Sequence, residues 1–438
     1  MQDYFFTLAD ALQAQVHGAE TLLLSFDGED SDFIRFNRAR VRQAGSVARR
    51  SLALDLSAAG RHAAGRVQLA GSLEDDLPRL SGLLQDLRAQ REHLPADPYL
   101  NFATDGLSGE TRVEGDLPER GAALQAIMDA AAGLDLVGIW AAGAICTGFA
   151  NSLGQRNWHA CESFCFDWSC YHAQDKAAKS DYAGLRWEPA ALQTRMQDAR
   201  AALEIVGRPP KTIEPGRYRA YLAPRALQDV LDMMAWGGFG LKSQRTGQSP
   251  LRRLQAEGLR LDLAVDLSEH HARGLEPPFT SEGFAKPGRV RLVADGVHGD
   301  SLVDARSARE YDARVNAASE SPASLDMAPG NLAVGDVPDA LDTGLYINNL
   351  WYLNFSDRNQ ARITGMTRFA CFWVERGKVQ APVNVMRFDD SIYRMLGENL
   401  LGLTRERELL LDRGTYGGRS SRSVELPGAL IEGLTFTL

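Results

Sequence analysis

The feature that most constrains the fold is a long stretch of alternating side chains from Leu136 to about His172. Alternation at every second residue is typical of a β-strand, whose successive side chains face opposite sides of a sheet. The stretch is interrupted once, by the turn-forming residues at 151–154 (NSLG). Its most apolar part, Leu136–Ala150, is shorter than the roughly 20 residues of a membrane-spanning helix. The stretch therefore predicts a buried β-hairpin.

Helical periodicity frames this hairpin. Apolar residues recur every three or four positions in four segments, which begin near Phe5, Leu77, Leu117 and Leu192. In the second half of the chain one clear helix is predicted, at Arg225–Trp236, and most of the remaining sequence is strand-like. These patterns predict an α+β fold, with an N-terminal α/β domain followed by a β-rich C-terminal domain with few helices.

A proline- and glycine-rich segment separates the two halves. Residues 207–216 (GRPPKTIEPG) hold three prolines and two glycines, which interrupt regular structure. We therefore predict an N-terminal domain over residues 1–206, a linker over 207–216, and a C-terminal domain over 217–438.

Two shorter patterns give local predictions. Asp27-Gly28 is a common turn pair, and it lies between the strand-like segments Thr21–Phe26 and Phe33–Gln43. The segment Leu259–Val265 alternates leucine or valine with polar residues, which predicts a further strand.

Composition limits the kinds of function. The 48 Lys and Arg against 57 Asp and Glu leave a net charge of −9, which argues against broad binding to nucleic acid or to anionic membranes. Five cysteines in 438 residues do not indicate a disulfide framework. The N-terminal residues lack a basic segment followed by an apolar one, so we expect a cytoplasmic protein.

The helical zinc motif of metallopeptidases is absent from the sequence. That motif needs two histidines one helical turn apart, with a glutamate directly after the first. None of the eight histidines is followed by Glu, and no two are four residues apart.

A second candidate metal site lies within the predicted hairpin. In a continuous strand His159, Cys161 and Cys165 face one side, while Cys170 and His172 face the other. Such a set cannot converge on one tetrahedral ion, so buried thiols are the favoured interpretation.

Two sets of charged residues in the second half have alternative interpretations. Asp266, Glu269, His270 and His271 are suited to acid–base chemistry or to a weak metal site, although a polar loop is the simpler interpretation. The five arginines near the C-terminus are suited to an anion site or to a solvated surface, and we expect the surface. They are Arg405, Arg407, Arg413, Arg419 and Arg422.

The order of several short motifs resembles the TldD/TldE (PmbA) family of bacterial and archaeal metallopeptidase subunits. The motifs lie, in chain order, at 38–43 (RARVRQ), 150–154 (ANSLG), 216–224 (GRYRAYLAP), 281–283 (SEG), 363–365 (ITG) and 374–383 (VERGKVQAPV). Together they extend over most of the chain.

The resemblance has a direct implication for catalysis. In the family, a catalytic TldD-like subunit carries a His-Glu-x3-His helix after the strand that matches Tyr218–Pro224, and a cysteine ligand near its C-terminus. At the matching helix positions this chain has Asp232, Met233 and Gly237, and residues 414–418 (GTYGG) contain no cysteine. The resemblance therefore implies the TldE/PmbA-like type, with no catalytic or metal-binding residue of its own.

The expected function follows from that resemblance. The chain is expected to be a non-catalytic subunit of a heteromeric zinc metallopeptidase that processes or degrades unfolded or leader peptides. Zinc and catalysis would be supplied by a TldD-like partner, and this chain would bind no cofactor. One alternative is a stand-alone homodimeric peptide-binding protein without protease activity. Another is an independent hydrolase that uses Asp266, Glu269, His270 and His271.

Overall fold

A computed structural model describes residues 1–173 and 176–437. Within them the chain forms two large sheets, one in each half, with helices on their faces. This confirms the predicted α+β class. Residues 174, 175 and 438, which fall within the predicted domains, lie outside the described residues. None of the described helices is both long and apolar enough to cross a bilayer.

The N-terminal sheet is built around the predicted hairpin. Its described strands are β1 (Thr21–Asn37), β2 (Arg40–Ala58), β3 (Arg61–Gln68), β4 (Gly109–Val113), β5 (Asp135–Asn151), β6 (Arg156–Ala173) and β7 (Lys176–Gly184). They are arranged in the order β3-β2-β1-β5-β6-β4, and β7 pairs with the other end of β6. The hairpin of β5 and β6 therefore forms the centre of this sheet, and its turn lies where the sequence predicts it.

Two pairs of helices pack against this sheet, and each pair forms its own apolar cluster with the strands. The helices of this half are α1 (Gln2–Gln13), α2 (Leu73–His93), α3 (Arg120–Ala130) and α4 (Pro189–Val206). Apolar residues of α1 and α2, including Phe5 and Leu84, pack against the strands at Leu24 and Leu54. Those of α3 and α4 pack in a second cluster, around Trp140. The sequence periodicity thus identified all four helices.

The C-terminal sheet begins at Gly216, the last residue of the predicted linker. Its described strands are β8 (Gly216–Leu222), β9 (Leu267–Glu269), β10 (Val290–Ala294), β11 (Val297–His298), β12 (Ser324–Met327), β13 (Gly344–Asp357), β14 (Arg362–Glu375), β15 (Lys378–Pro382), β16 (Arg387–Ser391), β17 (Leu400–Leu411) and β18 (Ser423–Phe436). The accompanying helices are α5 (Pro224–Ala235), α6 (Leu241–Arg245), α7 (Arg252–Ala256), α8 (Ala305–Tyr311), α9 (Val337–Leu341) and α10 (Ile392–Met395).

Strand β18 closes part of this sheet into a ring. The path β18-β16-β14-β13-β8 returns to its start, because β8 also pairs antiparallel with β18. Helix α5 packs against β13 and β18, and its apolar residues Leu227, Val230 and Met234 enter the large C-terminal core. Helix α5 is therefore packed against the closed part of the sheet.

The two halves share apolar contacts. Ala370 and Phe372 of β14 belong to the cluster formed by α3, α4 and the N-terminal sheet. Buried apolar surface is the main stabilising contribution to such a contact. The second half is therefore packed directly against the first.

The predicted turn at Asp27-Gly28 is wrong. Strand β1 continues through these residues, and Asp27 lies between Ser51 of β2 and Thr147 of β5. Pairing with a strand on each side overrides the local turn preference of the Asp-Gly pair. The chain reverses instead at Arg38 and Ala39, which both have positive φ angles, of 52° and 48°. The predicted strand Phe33–Gln43 is therefore the tip of a hairpin.

The predicted strand at Leu259–Val265 is also wrong. The Asp262 carboxylate accepts a hydrogen bond from the backbone N–H of Ala264 at 2.8 Å, and Val265 N–H donates to the Asp262 carbonyl at 3.0 Å. An aspartate side chain that accepts a hydrogen bond from the backbone two residues further on favours a turn over a strand. Leu263 consequently lies 72% exposed.

Candidate functional site

The loop that joins β17 to β18, residues 412–422, lies between the two halves. Its ends meet, because the backbone N–H of Asp412 donates to the Arg422 carbonyl over 3.2 Å. Arg413 extends from the loop to Asp167 of β6, at 3.1 Å. Ser421 donates to Glu276 at 2.9 Å. We refer to residues 412–422 as the strap.

Arg419 anchors the strap in the N-terminal sheet. Its guanidinium donates to the Ser163 carbonyl at 2.8 Å and to the Ser163 hydroxyl at 2.7 Å. It also donates to the Ser31 hydroxyl and to the Gly143 carbonyl, each at 3.1 Å. The backbone N–H of Arg419 donates to Glu29. This arginine bonds simultaneously to β1, β5 and β6, so our expectation of a solvated arginine surface is wrong at this position.

Helix α5 carries the residues that match the zinc helix of the resemblance. It begins with Pro224 at its first turn, where a proline fits because the backbone N–H there has no helical acceptor. It ends at Ala235, and Gly237 beyond it has a φ of +74°. A glycine in this left-handed conformation is a common helix terminator. Gly237 therefore lies outside the helix.

The three matching positions have different environments. Met233 is 7% exposed and packs in the C-terminal core. Gly237 offers no side chain. Asp232 presents its carboxylate to the strap, where Arg422 lies 3.2 Å away, and both side chains are 43% exposed. Asp232 is thus the single member of the three with a charged group at the strap.

A polar cavity of about 190 Å³ lies between α5 and the strap. It is lined by Arg225, Gln228, Asp229, Asp232, Leu411, Asp412, Arg413, Arg422 and Val424. Burial raises the pKa of the Asp229 carboxyl to about 6, against the lowering effect of Arg413 and Arg225. Burial also raises the pKa of Asp232, although Arg422 opposes the shift. The cavity therefore combines three carboxyl groups, those of Asp229, Asp232 and Asp412, with three guanidinium groups.

Arg225 joins α5 to the N-terminal half. It forms a bidentate pair with Asp181 of β7, with Nη2–Oδ2 at 2.5 Å and Nε–Oδ1 at 3.3 Å. The two side chains are only 9% and 11% exposed. Burial alone would raise the pKa of Asp181, but Arg225 holds it below the usual range. This pair fixes the start of α5 relative to the first half.

The alternative cluster at 266–271 is divided between separate structural roles. The Glu269 carboxylate accepts backbone hydrogen bonds from Ala323 and Ser324. His271 Nε2 lies 3.4 Å from Glu269, and its Nδ1 donates to a backbone carbonyl.

Asp266, the first member of that cluster, pairs with two arginines. Arg289 lies 2.9 Å from it, and Arg291 bonds to its other oxygen. His270 has a buried Nδ1 that finds no hydrogen-bond partner among the described residues. The structure therefore brings Glu269 and His271 together, while Asp266 is engaged by arginines.

The cysteines of the hairpin are buried in the sheet. Cys161, Cys165 and Cys170 all lie on β6, and burial raises the pKa of each thiol to about 12. Thiols of this kind are protonated at neutral pH and bind metal poorly. Within residues 1–173 and 176–437, no group of three or more His, Cys, Asp or Glu side chains is arranged to hold a metal ion.

Comparison with known proteins identifies the family. The family model described as the PmbA/TldA metallopeptidase C-terminal domain matches residues 215–438. The chain belongs to the PmbA/TldD family. No curated protein matches the sequence.

Solved structures share the fold of this PmbA/TldD family member over nearly their full length. A putative modulator of a DNA gyrase from Thermotoga maritima MSB8 has a TM-score of 0.76 at 15% identity, with 99% of each chain covered. TldE from Thermococcus kodakarensis has a TM-score of 0.75 at 11% identity, with 100% of each chain covered. A putative modulator of DNA gyrase from Bacteroides thetaiotaomicron VPI-5482 has a TM-score of 0.76 at 14% identity, covering 99% of this chain and 98% of that one.

The side chains at the zinc-helix position of this family member do not fit a catalytic zinc. The two parts that the resemblance assigns to a zinc site, α5 and the loop before the last strand, do lie together, since Asp232 contacts Arg422. However, zinc sites use histidine, cysteine and carboxylate ligands, commonly three from the protein in catalytic sites. Here the cavity beside α5 is lined by three aspartates and three arginines with no histidine or cysteine, and the positive charge of the arginines opposes a dication.

Sequence reasoning missed the residues that organise this region. Arg225 and Asp181 are far apart in sequence, and no local motif connects them. A set of arginines in the sequence predicts a charged surface and does not reveal that Arg419 is enclosed by the N-terminal sheet. The one usable signal was the glycine-rich segment before Arg419, which indicates a close approach of backbones.

Proposed function

We propose that this chain is a non-catalytic, TldE/PmbA-like subunit of a heteromeric zinc metallopeptidase. A TldD-like partner would supply the zinc and the catalytic residues, and the complex would process or degrade unfolded or leader peptides in the cytoplasm. The proposal rests on the residues that occupy the zinc-helix positions of α5. Asp232, the buried Met233 and Gly237 stand where a catalytic subunit needs two histidines and a glutamate.

The fold supports the proposal. The TM-score of 0.75 to a protein named TldE extends over the whole of both chains. The carboxylate of Asp232 is paired with Arg422 in the polar cavity at α5, which supports a role for this region without a metal of its own. A chain of this kind can contribute a folded surface to an assembly while the chemistry takes place on another subunit.

Co-purification from the native host tests the partner. We expect the chain to elute with a subunit that carries a His-Glu-x3-His motif, and we expect stoichiometric zinc in the complex and not in the isolated chain. A self-dimer with no such partner would instead support the homodimeric peptide-binding alternative.

Matched substitutions in the two subunits test which of them carries the catalytic residues. Asp232→Ala in this chain should leave casein cleavage by the complex within about twofold, because a residue with no ligand role contributes little to the barrier. Alanine at the first motif histidine of the partner should abolish cleavage. Chelator-sensitive cleavage by the isolated chain would contradict the proposal, and loss of that cleavage with His270→Ala and His271→Ala would favour the independent hydrolase.

A further inference from the structure

A larger cavity, of about 660 Å³, lies where the two halves meet. Helix α4 and strand β7 form one side of it, and the C-terminal sheet forms the other. Small and apolar residues line the first side, among them Ala178, Ala202 and Ile205. We refer to this space as the α4 cavity. Its volume is within the range of roughly 300–1,000 Å³ that is common for small-molecule sites.

Three aromatic side chains form a row on the opposite side of the α4 cavity. Tyr346 of β13 is the register partner of both Tyr221 of β8 and Phe372 of β14, so the three lie side by side across the sheet. Their sequence neighbours belong to the C-terminal core, and the three rings point to the other face, as alternation in a strand requires. The ring centres of the two tyrosines are 5.0 Å apart.

The hydroxyl groups of the two tyrosines are available to a ligand. Neither Tyr221 nor Tyr346 forms a hydrogen bond through its hydroxyl with another described residue. Tyr221 is only 1% exposed, and a buried tyrosine hydroxyl usually has a partner. A Cβ atom on residue 428 would lie 2.1 Å from the Tyr221 hydroxyl, so Gly428 makes room for it.

Charged side chains of both signs line the α4 cavity, and most of the cations are already paired. Lys179 is paired with Asp167 at 3.0 Å, and Arg407 is paired with Asp326 at 2.9 Å. Neither of these carboxylates lines the cavity. The buried pair of Arg225 with its aspartate accounts for a third cation and for one carboxylate of the lining. The cations of the lining are Lys179, Arg195, Arg225 and Arg407, and the carboxylates are Asp181, Asp198, Glu406 and Glu408.

Arg195 is left to face three carboxylates. Its Nη1 atom lies 3.7 Å from Glu408, beyond hydrogen-bond distance. Asp198 is exposed and forms no ion pair within the described part of the chain. Glu406 lies 3.5 Å from the exposed Arg405 and accepts a backbone hydrogen bond. Burial raises the pKa of Glu408 against the lowering effect of Arg195, so an added cation would stabilise this carboxylate, whereas an anion would be repelled.

We propose that the α4 cavity binds an aliphatic polyamine. One ammonium group bonds to the Glu408 carboxylate and to the hydroxyls of Tyr221 and Tyr346. A second ammonium group bonds to Asp198, and the methylene chain packs against Ile205 and the alanines beside it. A cation next to tyrosine rings is further stabilised by their π-electrons. This inference does not depend on the proposed function, because it concerns binding by the isolated chain.

Isothermal titration calorimetry of the full chain with spermidine at physiological salt tests the proposal. We expect one molecule to bind per chain. A diol and a dicarboxylate of the same chain length should bind at least about tenfold more weakly, because the first is uncharged and the second is repelled by the carboxylates. Mg²⁺ at equal ionic strength should not displace spermidine, because a hydrated ion cannot use the apolar side of the cavity.

Three variants locate the ligand. Glu408→Gln should weaken spermidine binding about tenfold or more, because it removes a charge-assisted hydrogen bond. Its matched control is Glu398→Gln, at an exposed carboxylate elsewhere, which should change the affinity less than about twofold. Tyr346→Phe removes only a hydroxyl and should weaken binding about threefold or more. Ala202→Phe fills the cavity without changing its charge and should abolish binding, while circular dichroism confirms that each variant is folded.

Failure of spermidine to bind the folded chain at physiological salt would refute the proposal. Equal affinity of wild type and Glu408→Gln would refute it too, because the ligand would then lie elsewhere. Displacement by Mg²⁺, or unchanged binding to Ala202→Phe, would show attraction to the acidic surface of the chain and not occupancy of the α4 cavity.

Discussion

The Arg422 guanidinium lies 3.2 Å from the Asp232 carboxylate, and this contact joins helix α5 to the strap. At the corresponding place a catalytic relative would be expected to hold its metal between a helix and a loop. In this chain an ion pair connects the same two elements. The contact is half-exposed, so its contribution to stability should be small. Its position matters because it lies where a catalytic relative would hold its metal.

The first prediction concerns that pair. Arg422→Ala should lower the free energy of unfolding by no more than about 1 kcal/mol, because exposed ion pairs contribute little. Urea unfolding measures the change, and Arg405→Ala, which removes the exposed pair with Glu406, is the matched control. A loss of several kcal/mol would show that the strap depends on this contact.

The second prediction concerns the buried pair of Arg225 and Asp181. Arg225→Ala should cost about 3–5 kcal/mol, because it leaves a buried carboxylate without a counter-charge. The double variant Arg225→Met with Asp181→Leu removes both charges and should cost clearly less. Urea unfolding of the three proteins tests this, and equal losses in the single and double variants would contradict it.

The third prediction concerns the anchor of the strap. Arg419→Ala should cost about 1–3 kcal/mol, since it leaves the carbonyl of the buried Ser163 and the carbonyl of Gly143 without this donor. Arg419→Lys should not restore stability, because an ammonium cannot reproduce the fork of a guanidinium. Hydrogen exchange and limited proteolysis should show faster opening of residues 412–422.

Arg413→Lys is the control for that experiment. Arg413 makes a single contact with Asp167, which a lysine can retain, so protection of the strap should change little. If Arg419→Ala left proteolysis unchanged, the strap would be held by other contacts.

The fourth prediction concerns pH. An acid whose pKa is raised on folding binds more protons in the folded state, so its contribution is present below the unfolded pKa and is lost as pH rises through the folded value. For Asp229, with a folded pKa of about 6, stability should fall between about pH 4 and pH 6. Asp229→Asn should therefore be more stable than wild type at pH 7, by roughly 1–3 kcal/mol.

The matched control for that comparison is Asp198→Asn, at an exposed position of α4. Thermal unfolding at several pH values measures all three proteins. A wild type and an Asp229→Asn variant with the same pH dependence between pH 4 and 6 would contradict the assignment.

Periodicity in the sequence determined the long elements. The hairpin of β5 and β6, the four helices of the first half and helix α5 were all predicted, because burial of one face imposes a spacing on apolar residues that is visible without coordinates. The lack of a His-Glu-x3-His motif was also visible in the sequence, because the motif is defined by the spacing of its residues.

The tertiary structure alone decided how these elements meet. Local residues favoured a turn at Asp27-Gly28, yet pairing with strands on both sides kept β1 extended through these residues. In the sequence, the strap arginines look like those of any solvated surface. Only the approach of β1, β5 and β6 surrounds the Arg419 guanidinium with carbonyl and hydroxyl groups of these strands. Long-range pairing and the burial of a charge depend on residues far apart in the chain, so no window of sequence contains them.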